Sequence, residues 1–178
     1  MLRITGGKFR SRNVEKPKNR EIRPTTSLVR ESVFNQLQGC IENARFLDCF
    51  AGTGLMGLEA ISRGAKFVLA LENNKTHWRI AKQNVEAFNL SDEELHVVCK
   101  DALEVFAKPN KREAFDIAFV DPPYGFLPMA KFVNDLVANG WMTEDGIIIV
   151  EQGDRDAAVH GFEHREYGDT RLSIKRLG

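Results

Sequence analysis

From Arg45 onward, apolar runs of strand length alternate with longer stretches of helical spacing. The runs at 46–50, 67–72, 96–100, 115–121 and 146–151 are aliphatic or aromatic on both faces, as strands covered on both sides must be. Amphipathic stretches fill the gaps near 55–63, 75–89, 102–107 and 127–139. Such alternation predicts an α/β fold, a doubly wound, mostly parallel sheet with helices on both faces. The two ends break the pattern. Residues 162–167, Gly168-Asp169 and 171–177 read as a closing antiparallel hairpin. Residues 2–5, Gly6-Gly7 and 9–14 read as a second, small hairpin, and a polar, proline-containing stretch follows to Arg23. Pro24-Thr25-Thr26-Ser27 then offers N-caps for a helix to about Ile41, with Val29, Val33, Phe34 and Leu37 as its buried stripe. The expected organisation is an arm over 1–23 and one domain over 24–178.

Candidate chemistry lies where strands end. The first main strand runs into Gly52-Thr53-Gly54-Leu55-Met56-Gly57, a GxGxxG, and then into a helix. Glycines at such a turn let the backbone bend sharply and approach a ligand with no Cβ in the way. Glu72 ends the second strand, 20 residues after Gly52, where a carboxylate can accept hydrogen bonds from both ribose hydroxyls. Strand, glycine turn, helix, strand and terminal acid in this order point to a nucleoside cofactor. A nicotinamide dinucleotide fits the same geometry, with its pyrophosphate at the helix N-terminus. Asp101, after the third strand, is at the least an N-cap for 102–107. The fourth strand ends in Asp121-Pro122-Pro123-Tyr124. Ligands of open α/β sheets bind outside the carboxyl ends of the strands, so this tetrapeptide faces the same crevice as the glycine loop. Two prolines stiffen the chain and hold the neighbouring side chain and carbonyl in place.

Composition changes the picture in one respect. The 178 residues carry no net charge, but residues 1–30 hold nine basic residues against Glu15 and Glu21, or +7, leaving −7 on the remainder. A basic arm on an acidic body suggests a polyanionic partner, although a solvated terminus has the same composition. Cys40, Cys49 and Cys99 are scattered, and the four histidines form no ligand-spaced cluster with them, so neither a disulfide framework nor a metal site is expected. The opening MLRITGGKFR has no apolar signal core, and the longest aliphatic runs are too short to span a bilayer. A cytoplasmic protein with reduced thiols is expected.

The segment Leu47-Asp48-Cys49-Phe50-Ala51-Gly52-Thr53-Gly54 resembles the first motif of Rossmann-like methyltransferases, and Asp121-Pro122-Pro123-Tyr124 resembles the (D/N)PP(Y/F/W) signature of amino-methyltransferases. That resemblance implies S-adenosyl-L-methionine as cofactor. It is implied to be held by Asp48, Phe50, Ala51, Gly52, Thr53, Gly54, Glu72 and Asn73, with Asp101 and Ala102 beside the adenine. Asp121 and the Pro122 carbonyl are implied to hold an exocyclic base amine, with Tyr124 stacking on the base and Pro123 beside it. Adding Arg23-Pro24-Thr25-Thr26, Val29-Arg30-Glu31, Phe34-Asn35, Gly57-Leu58-Glu59-Ala60 and Ser62-Arg63-Gly64-Ala65, nearly the whole chain is similar to RsmD-type methyltransferases. Their substrate class implies transfer to guanine N2 in 16S ribosomal RNA, within a small-subunit assembly intermediate. Thr53 stands where that family usually has serine, and Gly125-Phe126 where a more basic continuation is expected. With no separate target-recognition domain, Lys8, Arg10, Arg12 and Arg23 are the expected phosphate contacts. Adenine-N6 methylation shares the signature. Glutamine-N5 methylation normally shows Asn in place of Asp121. A dehydrogenase would leave the signature unexplained, and a non-catalytic RNA-binding module would leave an intact site unused.

Overall fold

A computed structural model of the chain describes residues 2–17, 25–123, 128–154 and 156–178. Its centre is a seven-stranded sheet. Strands β3 (Arg45–Asp48), β4 (Phe67–Leu71), β5 (Leu95–Val98), β6 (Phe115–Val120) and β7 (Met142–Gly153) are parallel. Strands β8 (Glu163–Tyr167) and β9 (Thr170–Arg176) close the sheet antiparallel, in the order β5-β4-β3-β6-β7-β9-β8. A separate two-stranded ribbon pairs β1 (Leu2–Arg3) with β2 (Asn13–Val14).

Strand alternation divides the core into two layers. Phe46, Val68, Ala70, Ile117, Phe119 and Ile149 point to one face, under α1 (Ser27–Gln36), α2 (Leu55–Ser62) and α3 (Lys75–Ala87). Leu47, Leu69, Leu71, Ala118, Val120 and Ile148 point to the other, under α4 (Ala102–Phe106) and α5 (Met129–Ala138). The β3 strand has β4 on one side and β6 on the other, so the chain reverses its direction of winding there. A crevice opens at that switch point, at the carboxyl ends of the strands.

Three differences from the sequence pattern have local causes. The first helix stops at Gln36 and not near Ile41, because Leu37 leaves helical geometry and Gly39 turns the chain at φ +84°. The β7 strand begins four residues before Gly146, since Met142 pairs with Phe115 before the register shifts to Ile117↔Ile147. The N-terminal hairpin is also not closed by Gly6-Gly7. Its strands form two residue pairs, and Gly7–Phe9 is a 3-10 turn between them. Gly7 is used for contact: a Cβ there would lie 1.8 Å from the Ser62 carbonyl oxygen, so only glycine lets the loop seat on the end of α2.

That contact binds the arm to the body. All eight residues of α2 are buried, Glu59 included, because the arm covers the side that would otherwise face water. The Glu59 carboxylate accepts from the Thr5 amide (2.9 Å), the Gly6 amide (2.9 Å), the Thr5 hydroxyl (2.7 Å) and Arg63 Nε (2.9 Å). Arg30, 3% exposed, has its Nε 3.7 Å from Glu59 and donates to the carbonyls of Arg3 and Thr25, each at 2.7 Å. Buried charges persist only when paired in this way.

Candidate active site

The crevice is a cavity of about 760 Å³, within the range that encloses small-molecule ligands. The glycine loop after β3 forms one wall, through Phe50, Ala51, Gly52 and Thr53. Gly52 and Gly54 both take positive φ (+54° and +77°), which an L side chain resists. Glu72, Asn73 and Asp101 line the next part of the wall, and Asp121, Pro122 and Pro123 the far side. Of the residues expected at a cofactor, Asp48, Gly54 and Ala102 do not line the cavity. Asp48 is 1% exposed beneath the loop, where its carboxylate accepts from the Gly57 amide at 3.2 Å. Ala102 is buried in the first turn of α4.

The Glu72 carboxylate accepts from the Gly52 amide (2.8 Å) and the Asn74 amide (2.7 Å), which orients it towards the loop it faces. Each carboxylate oxygen has a second lone pair, so both can still accept from a diol. Asp101 is the N-cap of α4, accepting from the Leu103 amide at 2.8 Å, and it also reaches the cavity. The capping and ligand readings of this residue are therefore compatible. These features suit a nucleoside cofactor: a loop bent by glycines, a carboxylate for a diol and another for an amine.

The Asp121 and Glu151 carboxyls sit side by side, because register pairs Val120 with Val150 and both acids follow on the next position. Thr25, 6% exposed, bridges them, its hydroxyl lying 2.9 Å from Glu151 Oε2 and 3.3 Å from Asp121 Oδ2. Burial pushes the Asp121 carboxyl well above the usual carboxylate range, with Glu151 and Asp48 adding to the rise and the Thr25 hydroxyl opposing it. Burial likewise pushes Asp48 up to about 7, helped by Glu72 and opposed by the Gly57 and Phe50 amides. Sequence reading treated Thr25 as a capping candidate and Glu151 as a strand end. Only the position of Glu151 at the carboxyl end of the strand beside Asp121 could have flagged it. Among the described residues, no three His, Cys, Asp or Glu side chains converge as metal ligands, and no helix is long and apolar enough to cross a membrane.

The expected phosphate contacts are dispersed. The 3-10 turn prevents Lys8, Arg10 and Arg12 from sharing one face of a strand, which alternation alone would have required. Lys8 and Arg10 are exposed. Arg12 is turned onto the body: it donates to the Ala87 carbonyl at 2.7 Å and stacks over Phe88 at 4.0 Å. Phe9 points inward, edge-on to Phe88 at 5.1 Å. Arg23 and Tyr124 lie outside the described residues.

The family described as conserved hypothetical protein 95 matches residues 2–175. Ribosomal RNA small subunit methyltransferase D of Haemophilus influenzae is 35% identical over 150 residues, covering 84% of this chain and 78% of that protein. The chain belongs to the ribosomal RNA small subunit methyltransferase D family. The Escherichia coli protein of the same name is 36% identical over 150 residues, covering 84% of this chain and 74% of its own. The solved structure of yhhF from Escherichia coli superposes with a TM-score of 0.84 at 31% identity, over 98% of this chain and 97% of that one. Membership decides between the readings left open by the sequence: the protein is a methyltransferase, not a dehydrogenase or a non-catalytic module. The matched span takes in the arm from Leu2, the helix before β3 and all of the closing hairpin but Arg176.

Proposed function

We propose that this protein transfers a methyl group from S-adenosyl-L-methionine to the exocyclic N2 amine of a guanine in 16S ribosomal RNA, acting in the cytoplasm on a small-subunit assembly intermediate. The observation that carries the reading is the placement of Asp121 and Pro122 on the same cavity as the glycine loop and Glu72. In this reading Phe50, Ala51, Gly52, Thr53 and Asn73 enclose the methionine end of the cofactor. Glu72 takes the ribose hydroxyls and Asp101 the adenine amine. Asp48, Gly54 and Ala102 act from beneath, shaping the loop and the start of α4. The cofactor supplies an electrophilic methyl on a sulfonium.

The remaining work belongs to the chain. A base amine is a poor nucleophile because its lone pair is delocalised into the ring. Hydrogen bonds from the amine to the Asp121 carboxylate and the Pro122 carbonyl favour a tetrahedral nitrogen and aim its lone pair. Alignment and a desolvated carboxylate supply the rate, and the elevated basicity of Asp121 suits it to receive the amine proton. The target base must leave its stack to enter, with Pro123 and Tyr124 beside it. Residues 1–23 serve as the RNA-facing arm on the domain formed by 24–178. Lys8, Arg10 and Arg23 meet phosphates, and Arg12 holds the arm in place.

Mass-spectrometric mapping of small-subunit RNA, from cells lacking the gene and from the same RNA treated with the enzyme, tests the substrate. One N2-methylguanine should be absent and then restored, whereas an N6-methyladenine would refute the assignment. By calorimetry and steady-state kinetics, Asp121→Ala should keep cofactor affinity within about tenfold and lose about a hundredfold or more in turnover. The acid limb of the wild-type kcat/KM profile should lie above the usual carboxylate range, since Asp121 must be ionised to accept and its affinity for protons is raised.

A further inference from the structure

The signature tetrapeptide explains how an amine is held, but not which base carries it. Adenine and cytosine present an exocyclic amine next to a ring nitrogen that accepts a hydrogen bond. Guanine alone presents its amine next to a ring N–H. A site for guanine N2 therefore needs a second acceptor beside the one that takes the amine, and an adenine site needs a donor there.

The second acceptor is present. Glu151 lies near the carboxyl end of β7, one position after Val150, and Asp121 comes one position after Val120 at the end of β6, on neighbouring parallel strands in register. Both side chains lie on the sheet face that carries Phe119 and Ile149, and both line the cavity. The Thr25 hydroxyl lies within hydrogen-bonding distance of both carboxylates, so those two oxygens are no further apart than the sum of its two bonds. Thr25 itself is held from behind, its carbonyl accepting from the buried Arg30. The spacing of the acids is thus set by the sheet and by α1.

We propose that Glu151 is the residue that selects guanine, its carboxylate accepting the N1–H while Asp121 and the Pro122 carbonyl hold the N2 amine. An adenine or cytosine in the same pose would turn a ring lone pair towards the Glu151 carboxylate, with no proton between them. That repulsion rejects the wrong base as firmly as the new hydrogen bond favours the right one. The inference rests on the guanine-N2 reading above and assigns it a residue outside the signature.

The test uses 2-aminopurine, which keeps the 2-amine but has a hydrogen-bond acceptor at N1. Once the methylated guanine has been mapped, small-subunit particles are reconstituted with guanine or 2-aminopurine at that one position. For the wild type, kcat/KM on 2-aminopurine particles should be about a hundredfold below that on guanine particles, the scale of one charge-assisted hydrogen bond replaced by a repulsion. In Glu151→Gln the amide can turn its NH2 to the N1 acceptor, so activity on guanine falls and the ratio narrows to about tenfold or less. A general loss of structure lowers both rates together and leaves the ratio alone. If Glu151→Gln does not fold, Glu151→Ala carries the same test, because removing the carboxylate removes the repulsion. A wild-type ratio near unity, or a ratio unchanged in the variant, overturns the role of Glu151. Absence of any gene-dependent N2-methylguanine in the mapping overturns the guanine-N2 reading itself.

Discussion

Asparagine at position 48 should flatten the dependence of stability on pH. Asp48 is 1% exposed, and burial pushes its carboxyl from 3.8 to about 7. Between those values the folded protein retains a proton that the unfolded chain has released. Stability therefore falls as pH rises through this window. A span of about three pH units, at about 1.36 kcal/mol per unit, amounts to roughly 4 kcal/mol. Asparagine matches the protonated acid in shape, and its carbonyl oxygen can still accept from the Gly57 amide. Wild type and Asp48→Asn should then be equally stable, within about 1 kcal/mol, near the lower end of the window. At about pH 8 the variant should be more stable by up to ~4 kcal/mol. Urea denaturation of both proteins across the range reads this difference, because the titrations of groups remote from Asp48 cancel in it. Parallel curves for the two proteins would refute the reasoning.

Three further outcomes follow from the arm. Glu59→Ala should cost about 3–5 kcal/mol by urea denaturation, because it leaves the buried Arg30 and the Arg63 side chain without their carboxylate. A loss below about 1 kcal/mol would show that the arm is not held through Glu59. Replacing Lys8 and Arg10 with neutral residues should weaken RNA binding and reduce the slope of log affinity against log salt by about one unit per lost contact. Arg12→Ala should instead lower stability, since its guanidinium already serves Ala87 and Phe88. An unchanged salt slope in the double variant would place RNA recognition elsewhere.

The sheet and the two principal motifs were legible before any coordinates, because each rests on short-range physics. Apolar runs of strand length alternating with helical stretches identified β3 to β7, although β5 forms one edge of the sheet, and the closing hairpin followed from its turn. The loop over Gly52–Gly54 and the Asp121-Pro122-Pro123 turn each follow a strand directly, so topology alone sends both to one crevice. Boundaries were less legible: α1 ends early because one glycine turns the chain, a choice that local periodicity does not reveal. The arm misled alternation for a related reason. Gly6-Gly7 looks like a hairpin turn, but its geometry is set by the Ser62 carbonyl, 55 positions from Gly7 in the chain. Only tertiary structure could place Thr25 between Asp121 and Glu151, since that contact depends on sheet register, on α1 and on Arg30 together. The same packing made Glu59 and Arg30 a buried pair and turned Arg12 from solvent to the body. Sequence determines which residues can supply the chemistry; burial and register decide which of them share a proton, a base or a charge.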